Sequence, residues 1–176
     1  MNRRGRLIAV DGVDGKAVNA AAKAAVGAVA RARRGGVSFW DASGVFGELV
    51  VADEEVAGRP SARTLLLLYA ADLAFRLRWE IRPAIAAGRA VAAAPYVATS
   101  IAFGRAAGLP AGWLKNLFAF APKADEVRIL DQPSPRTPHP AGFVDFSCRR
   151  LLANGHGLTR RQLADRVRSH LKIGAR

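Results

Sequence analysis

The stretch Arg6-Leu7-Ile8-Ala9-Val10-Asp11-Gly12-Val13-Asp14-Gly15-Lys16 decides how the rest of the chain is read. Leu7 to Val10 is a short apolar run with strand character, and the Asp/Gly set behind it ends the strand in a turn. Lys16 to Arg34 is alanine-rich and free of proline, which predicts a helix stopped by Gly35-Gly36. A strand, a glycine turn and a helix in that order open a βαβ unit. The helix start in such a unit offers backbone N–H groups to an anion.

The same alternation continues outward. Val37 to Trp40 reads as a second strand, followed by a turn over Asp41 to Gly44 and a modest helix from Val45 to Val56. Ser61 is a candidate N-cap for a long helix whose Leu65–Ile85 portion is apolar on more than one face, so it must be covered on several sides. Pro83 is expected to bend or restart it, and Gly88 to end it. Ala90 to Ala94 reads as a third strand, Val97–Ala107 and Ala111–Ala121 as helices, and Glu126 to Asp131 as a fourth strand. Gln132 to Gly142 carries four prolines and has no helical option. Phe143 to Phe146, or Arg150 to Ala153, is the expected fifth strand, and a basic helix from Thr159 to Lys172 closes the chain. The expected fold is a single α/β domain over residues 1–176, a parallel sheet flanked by helices.

Composition narrows the class. With 176 residues, 51% hydrophobic and 23% charged, the chain can bury one substantial core and is not a disordered segment. No run of about 18 apolar residues is present to span a membrane. Leu7–Val10 is too short for a signal-peptide core, so a cytoplasmic protein is expected. One cysteine, Cys148, excludes an internal disulfide and a cysteine-based zinc site. His139, His156 and His170 share no metal-ligand spacing, and no metal is expected. The net charge of +13 has two readings: a polyanion partner, or arginine-rich, alanine-rich coding bias.

A phosphate-binding loop needs glycines that let N–H groups turn inward, a Lys for the phosphates and a Ser/Thr hydroxyl for Mg²⁺. The frame Gly12-Val13-Asp14-Gly15-Lys16-Ala17-Val18-Asn19 keeps the opening glycine but ends in Ala17, Val18 and Asn19 rather than Gly, Lys and Ser/Thr. As a bare pattern it fails.

The surrounding blocks nevertheless resemble the thymidylate kinase family. Asp11-Gly12-Val13-Asp14-Gly15 looks like the family's Glu-Gly-x-Asp-Gly, and Thr64 to Leu73 like its Glu-Leu-Leu-Leu-Phe-x-Ala-Asp-Arg helix. Ile81-Arg82-Pro83-Ala84-Ile85-Ala86-Ala87-Gly88 is similar to Ile-x-Pro-x-Leu-x-x-Gly. Ala94 to Phe103 falls where the family has Asp-Arg-Tyr-x-x-Ser-x-x-Ala-Tyr, and Ile129-Leu130-Asp131-Gln132-Pro133 resembles its Leu-Asp-x-Pro strand end. The blocks run in the right order from about Leu7 to Pro133. The resemblance implies a P-loop nucleotide kinase fold.

The departures bear on chemistry. By the resemblance, the phosphate-loop Lys is Val18, the Mg²⁺-binding hydroxyl is Asn19, and the Asp-Arg pair before the tyrosine is Ala94-Pro95. The arginine closing the Ala-Asp-Arg motif is Leu73, and that of the Arg-Glu-Pro-Gly-Gly loop falls near Phe39 or Trp40. The arginine-rich lid is shortened to about residues 132–142, with Arg136 its only basic residue. Phosphoryl transfer is almost wholly positioning and charge stabilisation by such groups. The resemblance therefore implies a pseudoenzyme, with no cofactor expected; ATP and Mg²⁺ enter only if Lys16 serves an unconventional loop in an active dTMP kinase.

What is kept outlines a nucleoside pocket. Tyr69 matches the aromatic that stacks on thymine, and Tyr96, Thr99 and Phe103 are conservative along the same wall; Asp14, Asp72 and Asp131 remain carboxylates. The opposing expectation is that these aromatics now fill core. In the C-terminal helix, Arg160, Arg161, Arg166 and Arg168 form either a solvated face or a polyanion contact. The expected partners are a second copy through the 65–85 helix, another protein or a dTMP-like nucleotide, ahead of nucleic acid.

Overall fold

The computed structural model describes residues 4–51, 58–130, 142–151 and 158–174. Within them, strands β1 (Arg6–Gly12), β2 (Arg34–Phe39), β3 (Ala90–Ala94) and β4 (Glu126–Leu130) form one sheet in the order β2-β3-β1-β4. Every pairing is parallel. The helices are α1 (Gly15–Gly27), α2 (Val45–Val51), α3 (Ala62–Arg76), α4 (Arg82–Ala86), α5 (Val97–Ala106), α6 (Ala111–Leu117), α7 (Phe143–Arg150) and α8 (Arg160–Gly174).

The central strands are apolar along their length because both faces are covered. Ile8, Val10, Ala92 and Ala94 point to one side, where they meet Val18, Ala22, Ala25 and Val26 of α1. Leu7, Ala9, Val91 and Ala93 point to the other, into a larger core with α3, α5, α7 and α8. The all-small β3 is buried throughout, since alanine at the sheet centre lets helices approach closely from both sides.

Local signals account for most boundaries. Ser61 caps α3, its hydroxyl accepting from Thr64 N at 3.1 Å. Thr159 and Gln162 cap α8 reciprocally: Thr159 N donates to the Gln162 side chain at 2.8 Å, and Gln162 N to the Thr159 hydroxyl at 3.2 Å. Between α3 and α4 the chain passes through a π-helical turn, Leu77–Ile81, which restarts the helix so that Pro83 falls in the first turn of α4. Gly88, at φ +72°, ends it.

Two expectations are corrected. The first helix ends at Gly27, and Gly35-Gly36 lie inside β2 instead of stopping it. A Cβ on Gly35 would sit 2.3 Å from the Ala90 carbonyl oxygen, so glycine there permits the close approach of β2 to β3. Phe143–Phe146 is not a strand but the start of α7, whose buried residues Phe143, Val144, Ser147 and Cys148 recur at helical spacing. The expected continuation of α2 to 56, most of the proline segment with Asp131 and Arg136, and residues 152–153 of the alternative fifth strand lie outside the described residues.

Candidate functional site

The turn between β1 and α1 is two residues long. Asp14 caps α1, its carboxylate accepting from Ala17 N at 3.0 Å. Helical structure already begins at Gly15, so Lys16, Ala17, Val18 and Asn19 belong to the helix rather than to a loop. Lys16 is exposed, Asn19 is half-buried, and Val18 is packed in the core against β1 and β3. Gly12 lies directly beneath it: a Cβ there would meet Val18 Cγ2 at 2.9 Å. The front of the helix start is covered by the chain itself. A Cβ on Gly142 would meet Gly15 Cα at 2.7 Å and its nitrogen at 3.0 Å, so backbone is laid on backbone.

Asp11, at the end of β1, is fully buried and organises the turn entering α5. It accepts from Tyr96 N at 3.0 Å, Thr99 N at 2.9 Å and the Thr99 hydroxyl at 2.7 Å. The Thr99 oxygen in turn accepts from Gly12 N at 3.0 Å. Burial raises the Asp11 carboxyl above its ordinary value, against the lowering effect of these donors. Thr99 is thereby committed to joining β1 to α5.

Tyr69 projects from α3 to the same turn, where its hydroxyl is shared between the carbonyls of Pro95, at 2.9 Å, and Tyr96. The Tyr96 hydroxyl donates to Pro122 O at 2.6 Å, and burial pushes its pKa up to about 12. Tyr69, Tyr96, Thr99 and Phe103 are thus brought together at the C-terminal edge of the sheet. Phe143 fills the space between two of them. Its ring centroid is 4.5 Å from Tyr69 and 5.3 Å from Phe103, with Phe46 at 6.0 Å and Trp40 at 6.2 Å completing an aromatic box.

Asp72 serves a different place. It accepts from Asp41 N, Ser43 N and the Ser43 hydroxyl at 3.2, 3.0 and 2.9 Å, holding the turn after β2, in which Asp41 adopts φ +62°. Arg76, one helical turn on, pairs with Asp72 at 2.9 Å, donates from Nη1 to Pro95 O at 2.9 Å and lies over the Tyr69 ring. The basic side chains of α8 are remote in role: Arg160, Arg161 and Arg166 are exposed, and Arg168 pairs with Asp165 at 2.6 Å.

Sequence reasoning missed Arg76 and Phe143. Arg76 was visible only as a charge interrupting an apolar helix. For Phe143 the signal was the 143/144/147/148 spacing, outweighed by the alternating look of Phe143-Val144-Asp145-Phe146.

A four-stranded parallel sheet flanked by helices, with a short glycine-bounded turn feeding a helix from its first strand, is a P-loop kinase-like fold. It matches the crystal structure of thymidylate kinase from Ehrlichia chaffeensis with a TM-score of 0.66, over 98% of this chain and 87% of that one, at 14% identity. In sequence, a probable thymidylate kinase from Pyrococcus abyssi is 34% identical over 110 residues, 62% of this chain and 49% of that protein. A thymidylate kinase from Xanthomonas euvesicatoria is 35% identical over 144 residues, 74% of this chain and 58% of that protein. No family model matches. The chain belongs to the thymidylate kinase family, and it spans about half the length of these curated relatives.

Proposed function

We propose that this chain is a catalytically silent family member that acts by binding. The observation carrying this reading is Val18: the position that the family resemblance assigns to the phosphate-loop lysine is an apolar side chain packed in the core. The groups present do not fit a magnesium–nucleotide complex held at α1. Asn19 replaces the hydroxyl, Asp14 already takes up a helix-start amide, and the Gly142 backbone lies against Gly15. With the positions that the resemblance assigns to the lysine, the arginines and the metal ligand all replaced, the charge stabilisation that those groups give a transferring phosphoryl group is lost, and Lys16 is the cation that remains in the first turn of α1.

The favoured partner is a second copy of the chain. Leu67, Phe75 and Trp79 leave an apolar stripe exposed along α3 and the π turn, with Trp79 64% exposed. The alternative reading, an active dTMP kinase, rests on Lys16, which is exposed in the first turn of α1. The exposed arginines of α8 favour a nucleic-acid role less, since they are spread along a helix and Arg168 is already paired.

The test is calorimetric titration with dTMP, alone and with ATP·Mg²⁺, beside an assay for dTDP at high protein concentration. The reading expects no ATP·Mg²⁺ binding and no turnover. Turnover abolished by Lys16→Ala would overturn it in favour of the kinase.

A further inference from the structure

The net charge of +13 is not spread evenly over the fold. From Gly15 to Trp40 the chain carries Lys16, Lys23, Arg31, Arg33 and Arg34 and no acidic residue. The sheet gathers further cations to the same place. Arg6 and Arg34 are both in register with Ala90, one on each side of β3, so their Cα atoms stand about 10 Å apart at the amino ends of the strands. Arg89 immediately precedes Ala90, Arg4 lies just before β1, and Arg31 and Arg33 belong to the short 3₁₀ turn between α1 and β2. All six arginines are exposed. The carboxylates are elsewhere or already engaged. Asp11, Asp14, Asp41 and Asp72 hold turns and a cap at the opposite, carboxyl end of the strands. At the amino end, Asp125 accepts from Leu7 N at 2.8 Å, and Glu126 is shared by Arg6 at 3.3 Å and Arg128 at 2.7 Å. Arg34 donates to Gly27 O at 2.9 Å, at the C-terminus of α1. Among the described residues, the side chains of Arg4, Arg31, Arg33 and Arg89 form no ion pair. The α1 dipole is met by about half a charge, which Arg34 already supplies, so these four are in excess of what the fold needs.

We propose that this arginine patch, at the amino edge of the sheet, binds the phosphate backbone of duplex nucleic acid without regard to sequence. The partner follows from what surrounds the arginines. Gly27, Ala28, Ala30, Ala32 and Gly36, the exposed residues between them, are small and let a polyanion approach closely. None of the large exposed apolar side chains lies in this segment. The patch therefore has nothing to insert into a bilayer, and no exposed ring on which single-stranded bases could stack. Guanidinium forks suit phosphate oxygens, the contacts that position a duplex without reading it. The patch borders the face of the sheet covered by α1, whereas α3 packs on the other face. The inference thus stands apart from both catalytic silence and self-association through α3.

The experiment measures anisotropy of two short labelled DNA duplexes of unrelated sequence, titrated with the intact chain between about 50 and 200 mM salt. Both duplexes should bind alike, with affinity falling linearly on a log–log plot against salt. A variant carrying Arg31→Ala, Arg33→Ala and Arg89→Ala should bind at least about tenfold more weakly at the low-salt end, with a slope shallower by about 2–3. A charge-matched variant carrying Arg160→Ala, Arg161→Ala and Arg166→Ala on α8 should keep most of the parent's affinity and slope. Should the first variant fail to fold, Arg31→Ala and Arg33→Ala made singly decide, each lowering the slope by about 0.9. Equal losses in the two charge-matched variants would show bulk attraction and overturn the patch. No duplex binding by the parent at the low-salt end overturns it as well. So does tighter binding of the single strand, or capture by phosphatidylserine vesicles without capture of the duplex.

Discussion

Asp72 and Arg76, four residues apart on α3, form an ion pair at 2.9 Å in which neither side chain reaches solvent. The pair joins three parts of the fold: the turn after β2 through Asp72, the β3–α5 turn through the Arg76 bond to Pro95 O, and Tyr69 beneath the guanidinium. Removing one partner from a buried pair strands the other charge and costs about 3–5 kcal/mol. Arg76→Met and Asp72→Asn are each expected to destabilise by that order in urea unfolding. The double variant should cost clearly less than the sum, because neither charge is then left alone. Additive costs would show that the two residues act independently.

The approach of β2 to β3 makes a sharper test of backbone packing. A methyl on Gly35 would sit 2.3 Å from Ala90 O, whereas one on Gly36 would meet nothing within 4 Å. Gly35→Ala must push the strands apart and is expected to destabilise by roughly 2 kcal/mol or more. Gly36→Ala should stay within about 0.5 kcal/mol of the parent in the same denaturation series. Similar costs at both positions would contradict the pairing.

The layers of the fold could be read from residue patterning because burial on both faces leaves a continuous apolar run, as in Leu7–Val10 and Ala90–Ala94, and because caps such as Ser61 act locally. Gly35-Gly36 misled for a long-range reason: Gly35 answers to Ala90, more than fifty residues away, and no local signal separates a close-approach glycine from a helix stop. The candidate site divides in the same way. Tyr69, Tyr96 and Thr99 are tied to the turn between β3 and α5 by hydrogen bonds, and Phe103 lies one helical turn beyond Thr99. Their partners Asp11, Arg76 and Phe143 arrive through tertiary packing, and Phe143 depends on the conformation of a segment whose four buried positions fit helix better than strand.

Alkaline pH offers a readout of buried protons. Burial, with Asp145 adding to it and Arg160 opposing, pushes the Cys148 thiol from 9.0 up to about 12; burial likewise carries Tyr96 from 10.0 up to about 12. Both groups hold their protons more tightly folded than unfolded. Their contribution is therefore fully present below about pH 9 and is lost as pH rises toward 12. Urea midpoints should be flat near neutrality and fall steadily through this window, and Cys148→Ala should lessen the fall. Cys148 should also resist alkylation at pH 8 until the chain is unfolded. Rapid alkylation of the native protein would show the thiol to be accessible.

Leu67, Phe75 and Trp79 occupy one exposed stripe at spacings of eight and four residues, and Trp79 lies under Arg78 at 5.5 Å. Three large apolar side chains held in water along one helical rod are costly unless a partner covers them, and a two-fold copy can present the same stripe to itself. Tryptophan at the centre of such a contact commonly accounts for about 2 kcal/mol or more, a factor of about 30 in dissociation constant. Sedimentation at micromolar concentration should therefore give a dimer for the parent chain and a monomer for Trp79→Glu. Val127→Glu, an exposed change on β4 away from the stripe, should leave the dimer intact. A parent chain that stays monomeric at high concentration, or a Trp79→Glu variant that still dimerises, would place the contact elsewhere.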